Sequence, residues 1–363
     1  METYNMQKGT VYTTATHFID ADNYWNNYNT NFDEVGGDAH WGAEKTYDFY
    51  KNVLKRNSID GLGFKLTSFV HYSTNYINAF WNGYFMTYGD GGSGYSPLTS
   101  LDVCGHEITH GLTQKTAALI YSNESGALNE SFSDIFGVAI DFYTMPATAN
   151  FQIGEQFSPG GSAFRDMKDP KIYQNPSTYR GQYWISSKTD NAGVHYNSGV
   201  QNKWYYLLCK GDTGTNDNGA AYKVDSIGYL KAAQISFQNL TTFLTPLSNY
   251  DDARFYSILA AKQLFGDCSN EVKQVINAWY AVGVGEADSS LKASFTSSRS
   301  ISCSIPFTID FYNHSNDANA FQWDFGDGQT SSLPNPTHTY TSFSTFNVKL
   351  RAYSCNNIDR DSS

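Results

Sequence analysis

With 363 residues, the chain is long enough to bury two or three separate cores. A formal net charge of −11, with 24 Lys plus Arg and no basic run, argues against nucleic acids and anionic membranes as partners, since both need basic surfaces. No apolar stretch is long enough to span a bilayer, and METYNMQKGT lacks the charged start and apolar core of a signal peptide. An exported form would therefore carry its targeting segment upstream, and the wealth of Tyr, Asn, Ser, Thr and Gly suits a secreted, extracellular protein solubilised by uncharged polar groups. Residues 1 to about 95 hold alternating stretches, KLTSFVHY and YFMTYGDGGSG among them, that predict antiparallel strands and Gly-rich turns, interrupted by one helix from about Asp38 to Leu54. From Leu101 the pattern turns amphipathic. LDVCGHEITHGLTQ, ALNESFSDIFGVAIDFY, NSGVQNKWYYLLCK, SIGYLKAAQISFQNL, YDDARFYSILAAKQLF and SNEVKQVINAWYAVG are all predicted helices. A Gly/Ser-bearing linker follows, and from Ala293 only short strands remain, including ASFTSS, PFTIDFYNHS and AFQWDF. The expected division is a β-rich lobe over 1–112, a helical lobe over 113–286, a linker over 287–292 and a β-sandwich over 293–363.

His106, Glu107 and His110 form HExxH, which on a helix places both imidazoles on one face with the glutamate beside them. Alone, the pattern also fits a solvated helix face. Catalytic zinc needs three protein ligands and an open fourth position, so a further ligand should follow nearby. Glu130, in GALNESFSD, lies far enough past His110 for a turn and the start of an antiparallel helix. Asp134, one turn later, can accept a hydrogen bond from the free N–H of a ligand histidine and orient its ring. Acidic residues also gather in Asp102, Asp141 and Glu155, and hard oxygen ligands of this kind suit calcium.

The run YSNESGALNESFSDIFG after GHEITHGLT resembles the thermolysin family of metallopeptidases, as do DNAGVHYNSG (190–199) and NAFWNG (78–83). The likeness runs from about Tyr4 to Val284. It implies an α+β two-lobed peptidase, β-rich first and helical second, binding one catalytic Zn2+ and cutting proteins as an endopeptidase. By the same resemblance, Glu107 is the general base and His195 and Tyr121 steady the oxyanion. Asp190 orients His195, Asn129 partners the second zinc histidine, and Arg165 binds a substrate carbonyl. Asn78, Ala79 and Trp81 match positions that hold the substrate backbone as an added strand. Leu98, Val103, Ile153 and Phe164 match the specificity pocket, whose apolar walls favour Leu, Phe, Ile or Val after the cut bond; bulky Phe164 implies a shallower pocket preferring Leu. The family's calcium site often holds two ions. With Asn150, Gln152 and Gln156 in place of acids, one Ca2+ is expected here. An Asp20, Asp22 pair resembles a peripheral calcium site that Tyr24 disfavours. Several strands that precede the segment resembling ETYNM in the family are expected to be missing, together with the propeptide.

FQWDFGDG followed by NPTHTYTSFSTFNVKL resembles the PKD domain, an all-β immunoglobulin-like sandwich. It implies a core Trp323, a tight turn over 324–328, and either docking on a polymer or matrix protein or a mere spacer. Cys303 with Cys355 and Cys209 with Cys268 are candidate disulfides, and Cys104 reads as a buried core residue. A monomer acting on protein or peptide substrates is expected. The rival is a catalytically inactive adhesin on a peptidase scaffold, which would lack at least one of His106, Glu107, His110, Glu130 and His195; all five are present. An exopeptidase would need groups that capture a substrate terminus, and no such signature stands out.

Overall fold

A computed structural model describes residues 1–18, 33–287, 291–315, 318–354 and 359–362. Two compact units emerge, Met1–Leu264 with Gln274–Gly285, and Phe265–Lys273 with Glu286–Ser363. Asp20, Asp22 and Tyr24 lie outside the described residues.

The first unit begins with strands β1 (Glu2–Asn5) and β2 (Thr16–His17), helix α1 (Asp33–Asp48), and strands β3 (Thr67–Val70), β4 (Ala79–Trp81) and β5 (Met86–Tyr88). They form one sheet in the order β2-β1-β3-β5-β4. The expected all-antiparallel pairing is corrected: β1 with β3 and β3 with β5 are parallel, whereas β1–β2 and β4–β5 are antiparallel. For β1 and β3 the reason is the crossover through α1, which returns the chain in the same direction; β3 and β5 run alike because β4, antiparallel to β5, lies between them in the chain. Helix α1 starts at Asp33, ahead of the predicted Asp38. Asp33 and Glu34 occupy its first turn, where carboxylates suit the helix dipole. It runs into a π-helical turn, Phe49–Val53, near the predicted end.

The long helices α2 (Leu101–Lys115) and α3 (Asn123–Thr144) follow. Their close approach depends on two glycines: a Cβ on Gly105 would lie 3.1 Å from Gly137 Cα, and one on Gly137 would lie 2.5 Å from Asp102 O. Against α3, which buries Phe132 and Phe136 completely, stand α5 (Gly199–Lys210) and α6 (Tyr229–Gln238), and α7 (Tyr250–Phe265) and α8 (Asn270–Ala281) follow in the chain. Stacked Trp204 and Trp279 join α5 to α8, their rings 4.8 Å apart. The predicted helices are present. Three smaller features were not anticipated: α4 (Asp190–Asn197), the two-strand pair β6 (Gln152–Ile153) and β7 (Arg165–Asp166), and the hairpin β8 (Asp212–Thr215) and β9 (Ala221–Val224).

In the second unit, β10 (Phe295–Ser297), β11 (Phe307–Asn313) and β14 (Thr337–Tyr340) form one sheet. β12 (Ala320–Asp324), β13 (Thr330–Ser331), β15 (Lys349–Ser354) and β16 (Asp359–Ser362) form the other, in the order β13-β12-β15-β16. Trp323 is fully buried among Ile309, Phe311, Phe325 and Leu350, and the turn after it is closed by Gly326 N–H donating to Asp324 Oδ1. Of the two predicted disulfides, Cys209–Cys268 does not form, and Cys303–Cys355 involves a residue outside the described ones. Cys209 is a buried thiol in α5, not bonded to Cys268, and Cys303 is an exposed thiol while Cys355 lies outside the described residues. Cys104 is buried as expected.

Candidate functional site

Helices α2 and α3 deliver three ligand atoms to one point. His106 Nε2 and His110 Nε2 lie 3.0 Å apart, Glu130 Oε2 is 3.5 Å from the former and Glu130 Oε1 3.4 Å from the latter. Ligands about 2.0–2.1 Å from a tetrahedral zinc would stand roughly 3.3 Å apart, so the group fits that ion. The rest of each ring is already committed. His106 Nδ1 meets Asp134 Oδ1 at 2.9 Å and His110 Nδ1 meets Asn129 Oδ1 at 2.8 Å, which turns both Nε2 atoms toward Glu130. Glu130 Oε2 is buried and has no hydrogen-bond partner, as expected of an atom reserved for a cation. Among the described residues this is the only cluster of its kind.

Burial would raise the Glu130 carboxyl, but His110, His195 and His106 together hold it well below the usual carboxylate range. Burial likewise opposes charge on His106, yet its bonds to Asp134 and Glu130 push it up to about 10. Asp134 serves several partners at once. Arg165 Nε and Nη2 donate to its two oxygens at 2.7 and 2.6 Å, and Asn202 Nδ2 donates at 2.8 Å. Despite burial, the arginine and His106 lower it to about 2.

The triad forms one wall of a cleft of about 550 Å3 that is also lined by Glu107, Tyr121, His195 and Arg165. Tyr121 donates to Glu130 Oε1, and its hydroxyl stands 3.0 Å from His195 Nε2. Asp190 accepts from the His195 backbone N–H at 2.8 Å and meets its Nδ1 at 2.6 Å. The chain reaches that grip through a left-handed run, with φ of 53° at Asp190, 51° at Asn191, 69° at Ala192 and 80° at Gly193. Non-glycine residues rarely sit there, and backbone strain of this kind gathers at functional sites.

The cleft brings together Asn78, Ala79 and Trp81 from the β4 segment, and Leu98, Val103, Ile153 and Phe164 on the apolar side. Sequence reasoning missed Phe157 and Gln114, which line it too. Phe157 packs edge-on against Phe164 with ring centroids 4.9 Å apart. No motif carries either residue; only the fold brings them to the cleft.

The acidic residues expected to hold calcium stand near enough to act on one another's charge, although they do not bring ligand atoms together as the first group does. Asp102 is buried, with Oδ1 accepting from Val103 N–H and Oδ2 from Gly154 N–H at 2.6 Å. Burial, then the charges of Asp102 and Glu155, push Asp141 up to about 8. One oxygen each of Asp141 and Glu155 is buried without a hydrogen-bond partner. Asn150 donates to Glu155 Oε1 at 2.9 Å, but the Gln152 amide turns to Asp166 instead, at 3.1 Å.

Family models of the thermolysin metallopeptidase catalytic domain and alpha-helical domain match residues 1–114 and 117–284, and a PKD domain model matches 291–362. Bacillolysin of Brevibacillus brevis is 45% identical over 289 residues, which cover 78% of this chain and 51% of that protein. Thermolysin of Alicyclobacillus acidocaldarius subsp. acidocaldarius is 44% identical over 266 residues, 71% of this chain and 47% of that protein. The chain thus spans about half the length of the curated relatives it matches. Among solved structures, the precursor of protealysin, a metalloproteinase from Serratia proteamaculans, aligns with a TM-score of 0.65 at 30% identity, covering 78% of this chain and 87% of that one.

Proposed function

The chain belongs to the thermolysin family of metallopeptidases, and from that premise we propose that it is a secreted, monomeric zinc endopeptidase cutting proteins on the amino side of apolar residues. The observation that carries this reading is the convergence of His106, His110 and Glu130 within 4.8 Å of one another, in a cleft that also holds Glu107, Tyr121 and His195. A zinc ion held there supplies Lewis-acid polarisation of the scissile carbonyl and a lowered pKa for water. Glu107 takes the proton of the attacking water and passes it to the leaving amine. Tyr121 hydroxyl and His195 Nε2, already side by side, donate to the oxyanion as it forms. Asp190 holds the His195 ring through Nδ1 and so keeps Nε2 turned toward the cleft. Arg165, steadied by Asp134, offers its remaining N–H groups to a substrate carbonyl, and Asn78 and Ala79 hold the substrate backbone along β4.

Leu98, Val103, Ile153 and Phe164 receive the side chain after the cut, and with Phe157 behind Phe164 the pocket suits Leu better than Phe. Asp102, Asp141 and Glu155, with Asn150 and Gln152 at their side, hold one structural calcium, which supplies the missing partners of the buried oxygens. Export is supported by a composition rich in uncharged polar residues and poor in Lys and Arg.

The decisive experiment measures zinc content and casein hydrolysis with and without a chelator, alongside Glu107→Gln. Chelation should abolish activity. The variant should keep its zinc while losing activity by roughly three orders of magnitude, because the ligands survive and the base does not. Near wild-type turnover in Glu107→Gln would refute the mechanism.

The β-sandwich contributes no group to this chemistry, and we assign it to docking on a polymer or matrix protein, supported by exposed aromatics such as Phe343 and Tyr312. Removing residues from Ser289 onward should leave hydrolysis of a short soluble peptide unchanged and slow attack on insoluble protein. Equal rates on insoluble protein would make the module a spacer.

A further inference from the structure

Strand β4 is only three residues long and stands at the edge of its sheet, bonded inward to β5. A short edge strand has little of its own to hold it in place, yet the reading above asks it to receive the substrate backbone. The zinc helix supplies a support. Gln114, four residues past His110 on α2, accepts a hydrogen bond from Trp81 Nε1 at 2.6 Å. Between the two lies Gly111, where an added Cβ would fall 3.2 Å from the Trp81 ring and 2.9 Å from Ile59 Cδ1. The glycine thus leaves a seat for the indole, and Gln114 closes it. Phe64 also meets the ring edge-on, with centroids 6.3 Å apart. Trp81 and Gln114 both line the cleft with Asn78, Ala79 and His110.

We propose that Gln114 is a positioning residue: through the Trp81 indole it pins the β4 edge to the helix that carries His106 and His110, fixing the distance between the substrate backbone and the metal ligands. The proposal rests on the peptidase reading, in which the substrate lies along β4. A substrate long enough to occupy β4 feels the clamp, whereas a minimal substrate spanning only the cut bond does not.

The test compares Gln114→Leu, which keeps the shape and removes the acceptor, with Gln114→Glu, which retains an acceptor oxygen, and with Trp81→Phe, which removes the donor. Losing this hydrogen bond should raise KM for an eight-residue peptide by about five- to tenfold, and in Gln114→Leu kcat on a minimal dipeptide amide should stay within about twofold of wild type. Gln114→Glu should return KM to within about twofold of wild type. Because the two groups act as one unit, Gln114→Leu combined with Trp81→Phe should be no worse than the poorer single variant. Hydrogen exchange over residues 79–85 should quicken in Gln114→Leu while zinc content stays constant, a readout that needs no activity. Additive losses, an unchanged KM, or exchange at the wild-type rate would overturn the clamp. An inactive wild-type chain would instead overturn the peptidase reading, and exchange would still decide whether Gln114 holds β4.

Discussion

Helix α3 carries two buried groups of charged side chains, Glu130 with Asp134 in its first half and Asp141 near its end, and their surroundings differ in kind. Around Glu130, each histidine is turned by a partner on α3 itself, Asp134 or Asn129. Opposite charges surround the carboxylate and hold it ionised. Around Asp141 the neighbours are Asp102 and Glu155, like charges that drive its pKa up, and two oxygens lack partners. Protein hydrogen bonds build the first group before any ion arrives. The second gathers like charges and buried oxygens without partners, so the two should respond differently to the same insult.

The largest expected effect separates ligand from support within the first group. Glu130→Ala should lose the metal and at least roughly three orders of magnitude in casein hydrolysis. Asp134→Asn keeps all three ligands but weakens the hold on His106 and Arg165, so zinc affinity should fall by about 10- to 100-fold. Both are read by competition with a metallochromic chelator. Wild-type affinity in Asp134→Asn would show that the ring orientation needs no help from that carboxylate.

Next in size is the response of the second group to calcium. A site held at a hundred times its Kd contributes about 2.7 kcal/mol, which for a domain of this size moves Tm by about 5–10 °C. A calcium-selective chelator should lower Tm by that amount in wild type and by much less in Asp141→Asn. The pH dependence has a definite sign. Asp141 has a folded-state pKa raised to about 8, so its favourable contribution without calcium is present below the ordinary carboxylate range and is lost as pH rises toward 8. Saturating calcium should flatten that decline. A decline of equal steepness with and without calcium would remove Asp141 from the site.

How much of this was legible beforehand follows from the range of the contacts. HExxH and the acidic helix after it repeat within one or two helical turns, so periodicity reaches them, and the strand-only text after Ala293 announces a sandwich in the same way. The parallel pairing of β1 with β3 depends on a crossover through α1, which local alternation does not register. Asp134 illustrates the same limit. Its bond to His106 follows from spacing and resemblance, but its simultaneous grip on Arg165 and Asn202 joins residues 31 and 68 positions away. Phe157 and Gln114 line the cleft because of where loop and helix pack, and neither stands in a motif. The Cys209–Cys268 expectation failed for a related reason: an odd cysteine count constrains pairing too little, and Cys209 is buried within α5.

The smallest expected effect tests whether the two groups are independent. Asp102 belongs to the acidic group, yet its Oδ2 accepts the Gly154 N–H at 2.6 Å, and Gly154 sits directly under the pocket wall. Its φ of 79° is costly for any other residue, and an added Cβ would fall 2.7 Å from Phe157 and 3.4 Å from Phe164. One carboxylate thus ties the acidic group to the aromatic rings Phe157 and Phe164 that line the cleft. Asp102→Ala leaves that N–H without its acceptor, a cost of about 1–3 kcal/mol that the loop escapes by shifting. A shifted loop releases Phe157 and Phe164 and deepens the pocket. The ratio of kcat/KM for two peptides differing only in Leu or Phe after the cut should then move toward Phe by about two- to fivefold, within the range that one hydrocarbon contact governs. Zinc content should not change. If Asp102→Ala lowers Tm but leaves the Leu-to-Phe ratio where it was, the acidic group acts on stability alone and the pocket is held by its own aromatic packing.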